Sequence, residues 1–376
     1  MQLNSLSISC LRNLRAVDLD LNPQFNIFWG ENGGGKTSLL EAIHVLTTGR
    51  SFRAHQPRQM ITFGENICTI AGVVSPRETT DTVSPIRMGV ERHQSGSIKM
   101  RLAGEDCQSI ALLAKTLPIQ LINSDSYDIL EASPQYRRKF LDWAMFHVEH
   151  SFYSIWQRFK RALQQRNAAL KVSKTPSVES IRAWNKEFTE MGEIIDFQRK
   201  AVLAELAPLF SEIVGELLGV NKKITLQYQP GWNAQYSLRE ALDRYWDRDL
   251  AWGCTTFGPQ RADLEFMIEG VPAKNLLSRG QSKLYICALL MARASLLYKR
   301  EGRRCVFLID DLNSELDEKA SKLLVEALSS LGGQVLITSI EGAPLAKLLK
   351  DRSVAMYSVK DGIIESSPGT LLHACP

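Results

Sequence analysis

The chain has 376 residues, 44% hydrophobic and 23% charged, with a formal net charge of +4. That length suits two or three domains, or one large domain with an insertion, and the composition is that of a globular protein rather than a low-complexity one. Mild basicity does not by itself point to nucleic acid, and seven scattered cysteines without a C-x-x-C pair argue against zinc and for reduced thiols in the cytosol.

In chain order, Leu3, Ser5, Leu6 and Ile8 mark an early strand. No apolar h-region stands at the N-terminus and no run reaches membrane-spanning length, so a cytoplasmic protein without a membrane segment is expected. Phe25 to Trp29 reads as a buried strand, and Thr37 to Leu46 as a helix with Leu39, Leu40, Ile43 and Leu46 on its apolar side. Between them, Gly30-Glu31-Asn32-Gly33-Gly34-Gly35-Lys36-Thr37 fits the phosphate-loop pattern G-x-x-x-x-G-K-[ST]. The glycines let backbone N–H groups approach oxygen atoms, Lys36 reaches the β and γ phosphates, and Thr37 offers a hydroxyl to Mg²⁺. His44, inside that helix, reads as a packed or solvated residue, not a catalyst.

Ile67 to Val74 and Met88 to Glu91 alternate as in a hairpin-rich sheet, and Ser75 to Pro85 is polar and turn-like. Gln120, after Leu117-Pro118-Ile119, stands in the order expected of a Q-loop residue that senses Mg²⁺ and γ-phosphate; a surface loop is the alternative. From about 135 to 218 helical spacing takes over, with Trp156, Phe159, Leu163 and Leu170 on one run. Lys171 to Val178, which contains Pro176, is a connector, and a second run covers Ile181 to about Leu218.

Strands return at Ile224 to Tyr228 and Leu264 to Ile268. Leu277-Ser278-Arg279-Gly280-Gln281 then opens a helix of about Ser282 to Lys299 and resembles the L-S-G-G-Q signature of ABC-type ATPases. Ser278 also fits a plain N-cap. Cys305 to Ile309 is a buried strand ending in Asp310-Asp311, as in a Walker B motif: Asp310 to hold Mg²⁺, Asp311 to orient or deprotonate water. Ser314-Glu315-Leu316-Asp317 takes the place of the D-loop, before a helix at Glu318 to Leu331. Val335 to Ile337 is a further strand; Thr338 and Ser339 end it where ABC enzymes place a switch histidine. Ala355 to Val359 is the last strand.

This order predicts an α/β fold: an ABC-type ATPase head assembled from 1–130 and 222–376, with an all-helical second lobe at 131–221 inserted. In such heads the signature meets ATP held by a partner subunit, so ATP joins a homodimer, with Ser278, Gly280 and Gln281 as the partner-facing contacts.

The chain resembles the RecF family of recombination mediators nearly end to end. The likeness runs through Leu11-Arg12-Asn13-Leu14, the loop Gly30 to Thr37, and Thr48-Gly49-Arg50-Ser51-Phe52-Arg53. It continues in Arg137-Arg138-Lys139-Phe140-Leu141-Asp142-Trp143, Arg161 to Asn167, and Gly258-Pro259-Gln260-Arg261-Ala262-Asp263. The resemblance implies an SMC-like ATPase head without a long coiled coil, using ATP and Mg²⁺ as a slow switch. It implies DNA binding, work with RecR and RecO to bring RecA to single-stranded gaps, and a part in repair and SOS induction. It also makes Arg12 and Asn32 nucleotide neighbours. Gln260 replaces the family's usual His, removing a titratable group. A transporter subunit and an SMC-type clamp are the alternatives; the chain lacks the heptads a clamp needs.

Between Pro134 and Lys174, nine Lys or Arg face two acids, a local +7 against +4 for the whole chain. Such a segment can neutralise phosphates. Phe152, Tyr153, Trp156 and Phe159 interleave with it, at spacings that favour core packing over base stacking. Arg50, Arg53 and Arg58 form a second basic group. No base-reading motif is present, so any DNA contact is expected to follow the backbone.

Overall fold

The computed structural model describes residues 1–54, 56–76, 84–171, 177–219, 222–312 and 316–366. Ser314 and Glu315 of the expected D-loop, Pro176 of the connector, and much of the 75–85 turn region lie outside them. In chain order, strands β1 (Gln2–Leu11), β2 (Leu14–Asp20) and β3 (Phe25–Trp29) lead to helix α1 (Lys36–Thr48). Strands β4 (Ile67–Ser75), β5 (Ile86–His93), β6 (Ile98–Leu102) and β7 (Glu105–Asp106) follow, then α2 (Ile110–Thr116) and β8 (Ile119–Ile122). Helices α3 (Asp128–Glu131), α4 (Pro134–Val148), α5 (Phe152–Lys171), α6 (Val178–Arg182) and α7 (Asn185–Leu218) come next. After β9 (Ile224–Gln229), α8 (Leu238–Arg244), α9 (Trp246–Trp252), β10 (Asp263–Ile268) and β11 (Val271–Pro272) stands α10 (Arg279–Glu301). The chain closes with β12 (Val306–Ile309), α11 (Glu318–Leu331), β13 (Gln334–Ser339), α12 (Ala343–Leu348), β14 (Val354–Lys360) and β15 (Ile363–Ser366).

Two compact units emerge. The first comprises 1–126, 283–298 and 302–376; the second comprises 127–282 and 299–301. In the first, one antiparallel sheet has the order β2-β1-β4-β5-β6-β7. The other runs β15-β14-β3-β13-β12-β8, parallel except at β15. Helix α1 packs against both: Leu39, Leu40, Ile43 and Leu46 join Leu6, Ile8 and Ile70 of one sheet and Leu308 and Leu336 of the other. The expected one-sided apolar stripe is therefore an underestimate, since Ala42 and Val45 are also fully buried.

The parallel sheet explains where a ligand can sit. β13 lies between β3 and β12, with Thr338 opposite Phe28 and Ile337 opposite Ile309. The phosphate loop after β3, Asp310 after β12 and the end of β13 thus emerge together at the carboxyl ends of neighbouring strands, where ligands bind in open α/β sheets.

The second unit is not purely helical. β9, β10 and β11 form a three-stranded antiparallel sheet, and 222–282 belongs with these helices rather than with the head. Apolar faces made this so: Phe266 of β10 meets Phe210 of α7, ring centroids 6.4 Å apart. Around them the basic family blocks act as internal ties. Arg137 grips Asp263 with two hydrogen bonds of 2.7 and 3.1 Å, Arg138 donates to the Ala262 carbonyl, and Arg199 donates to Pro259 O and Asp142. Arg166 is fully buried, donating to Asp249 at 2.8 Å and Thr255 at 2.6 Å.

Candidate nucleotide site

The phosphate loop is shaped by contacts that only glycine permits at two points. Gly30 has φ 151°, and a Cβ there would lie 2.1 Å from the Val359 carbonyl oxygen. Gly35 has φ 120°, in the region L side chains avoid, directly before α1. Lys36 Nζ donates to the carbonyls of Gly30 at 2.6 Å and Glu31 at 2.9 Å, so the ammonium is held across the loop. Burial pushes its pKa down, and the carboxylates of Asp311 and Asp310 oppose that shift.

Thr37 Oγ1 donates to Asp310 Oδ1 at 3.0 Å, and Thr338 Oγ1 donates to the same oxygen at 2.7 Å. The Asp311 N–H donates to Thr338 Oγ1 at 2.8 Å, and Asp311 holds φ 54°. A hydroxyl and a carboxylate this close, beside a phosphate loop, fit Mg²⁺, which binds through one or two protein oxygens plus phosphates and waters. Thr37 and Asp310 are the residues that would hold it. Arg12, Asn13, Asn32, Gly33, Gly35, Lys36, Thr37, Ser38, Arg53, Asp310, Asp311 and Thr338 line one cavity of about 480 Å³. Its size suits a nucleotide.

Arg12 reaches the cavity from the end of β1 with φ 56°. Its Nε and Nη2 each donate at 3.0 Å to Glu41, a fully buried carboxylate on α1, and Nη1 donates to the Gln59 carbonyl at 2.6 Å. Arg53 stands 3.8 Å from the same carboxylate. Glu41, Arg53 and Thr338 were not assigned to this site from sequence. A charged residue flanked by Leu40 and Ala42 one turn past Thr37 was the available signal for Glu41.

One expected position lies elsewhere. Gln120 is fully buried within β8, where its side chain accepts from Arg293 and reaches Cys305 Sγ at 3.9 Å. It pairs with Phe307, so Asn123, not Gln120, is level with Asp310 at the strand ends; Gln120 does not line the cavity. The Q-loop assignment is therefore corrected by strand register. His44 Nδ1 donates to the Arg50 carbonyl at 2.8 Å and meets Phe52 edge-on, the packed helix residue that was expected. Gln260 donates to the Phe257 carbonyl at 2.6 Å.

The signature segment is local to the second unit's end. Ser278, Arg279, Gly280 and Gln281 are all exposed. Ser278 N–H donates to Gln281 Oε1 at 3.0 Å and Gln281 N–H to Ser278 Oγ at 3.3 Å, a reciprocal cap on α10. The capping alternative is thus realised, and it leaves the helix N-terminus and Gly280 open to solvent.

The expected basic patch is thinner than its composition. Arg137, Arg138 and Arg166 serve inside the second unit, and Arg158 pairs with Glu187 at 2.6 Å. Lys139, Lys160, Arg161 and Lys171 remain exposed, as do Arg50 and Arg58 in the first unit. Phe152 and Phe159 are core residues. No helix among the described residues is long and apolar enough to cross a membrane.

The chain matches the RecF/RecN/SMC N-terminal domain family over residues 2–365. It is 40% identical to the DNA replication and repair protein RecF of Pseudomonas paraeruginosa over 372 residues, 98% of each chain. It is 41% identical to the RecF of Stutzerimonas stutzeri over 370 residues, again 98% of each. Its fold is similar to that of a recombination mediator protein RecF solved with ATP, in the RecFOR pathway (TM-score 0.85, 23% identity, 97% of each chain covered). An Smc head bound to the C-winged helix domain of ScpA is similar at a TM-score of 0.60 and 14% identity, covering 99% of this chain and 98% of that one. With an SMC-type ATPase head built around a complete phosphate loop, and with close relatives along nearly its whole length, the chain belongs to the RecF family.

Proposed function

We propose that this protein is an ATP-switched, DNA-binding dimer of recombinational repair. The observation that carries the reading is an incomplete site. The phosphate loop, Asp310 and Asp311 converge on one cavity, while Ser278, Gly280 and Gln281 lie exposed at a helix N-terminus, with open space around Gly280 among the described residues. Such a terminus binds anions, and a second copy's ATP supplies one.

In this reading Lys36 and the loop N–H groups bind the polyphosphate, and Thr37 and Asp310 hold Mg²⁺. The ion draws charge from the phosphate oxygens when bound. Asp311 orients water for slow hydrolysis, and Ser278 of a second copy closes the site. Exposed Lys139, Lys160, Arg161 and Lys171, with Arg50 and Arg58, contact the DNA backbone without reading sequence. Single-stranded or gapped DNA is the expected substrate, with RecO and RecR as partners, RecA served indirectly, and the cytoplasm as the place of action.

Light scattering with and without ATP–Mg²⁺, repeated on gapped DNA, tests the reading. A shift from monomer to dimer that needs ATP and strengthens on DNA is expected. A monomer under every condition, despite measured ATP binding, would overturn the dimer switch.

A further inference from the structure

Helix α1 is a core helix, and Glu41 is fully buried in it. A carboxylate in that position is costly unless paired and hydrogen-bonded. Its partners come from two separate segments and converge on the cavity. Arg12, from the end of β1, binds it through Nε and Nη2. Arg53 stands 3.8 Å away, on the loop after α1. Ser51 Oγ donates to it and accepts the N–H groups of Arg53 at 2.9 Å and Ala54 at 2.7 Å, which pins that loop's backbone.

We propose that Glu41 is the positioning residue of the nucleotide pocket, acting on bound phosphates through Arg12 and Arg53 and not by contact. The proposal rests on the reading of this cavity as an ATP site. With Nε and one hydrogen each of Nη1 and Nη2 committed, Arg12 keeps N–H groups on both terminal nitrogens for a ligand. The rigid fork is already oriented, so a polyphosphate does not have to order it. A shared buried carboxylate also sets the spacing of two guanidiniums that would otherwise repel. Glutamine at this position keeps the volume but loses the charge, and its amide nitrogen turns donors toward a guanidinium or Ser51, so its one remaining oxygen cannot hold both arms.

The test is calorimetric ATP–Mg²⁺ binding by the full chain carrying Glu41→Gln, measured also in an Arg12→Ala/Arg53→Ala background. Loss of charge-assisted hydrogen bonds should weaken binding about tenfold in the otherwise native chain. In the background without the arginines, Glu41→Gln should change affinity by less than about twofold, because the coupling partners are gone. Equal losses in both backgrounds would make Glu41 a core residue of α1 only and overturn the proposal, as would unchanged binding in the native background. If Glu41→Gln does not fold, Ser51→Ala reads the same linkage from the loop: it should weaken ATP binding where Arg53 is present and have no effect where Arg53 is Ala. Failure of the unmutated chain to bind ATP would instead overturn the ATP reading beneath the proposal.

Discussion

At the phosphate loop a single ammonium carries the pH behaviour of the site. Burial lowers the Lys36 pKa from its ordinary 10.5. Bound phosphate favours the charged form and raises that pKa, so binding takes up a proton wherever the free lysine is neutral. ATP affinity is therefore expected to fall as pH climbs through the free protein's lowered Lys36 pKa. Titrating ATP affinity against pH checks this, and an affinity that rises with pH in that window would contradict it. Asp310 accepts from both Thr37 and Thr338. Asp310→Asn should therefore lose most of the Mg²⁺ dependence of ATP binding, leaving the Mg²⁺-free affinity close to the native value; equal loss with and without Mg²⁺ would argue against a metal role. These residues were legible in sequence because their spacing is local: a loop of eight residues and a strand end. Glu41 was not, because the helix periodicity that marks core positions reads a charged residue as solvent-facing. Gln120 was misplaced for a long-range reason, since only the pairing of β8 with β12 fixes which side chain reaches the strand ends.

Among elements, caps and buried ties decide stability. Asp317 accepts the Ala320 N–H at 2.7 Å and caps α11. Asp317→Ala is expected to cost about 1 kcal/mol of unfolding free energy; a denaturant midpoint unchanged from native would contradict that. Arg166 with Asp249 is a heavier case, both side chains being fully buried. Arg166→Ala strands a buried carboxylate and should cost about 3–5 kcal/mol, read as a lower denaturation midpoint of the full chain. Element positions were largely legible: the helix expected at Glu318 to Leu331 has those bounds, and the one expected at Ser282 to Lys299 extends to Arg279–Glu301. The antiparallel pair β9–β10 was legible as strands but not as part of the second unit. Nothing in an alternating apolar pattern says which body its buried face will meet. The same limit applied to the basic blocks, whose charges read as a surface until their carboxylate and carbonyl partners, far away in sequence, were in place.

At the scale of the whole molecule, two sequence ends build one head and the intervening chain builds a second body. That order was legible because the motifs bracket the helical region. The central claim is that the exposed signature of one copy completes the phosphate-loop site of another. Lys36→Ala and Ser278→Ala chains, each alone and then mixed, test it by light scattering with ATP–Mg²⁺. Each alone has both composite sites damaged, and neither should dimerise. Mixed, the Ser278→Ala loop meets the Lys36→Ala signature, and one composite site is intact. The account predicts ATP-dependent dimers in the mixture only; a mixture as monomeric as its parts, or dimers of Ser278→Ala alone as strong as native, would contradict it.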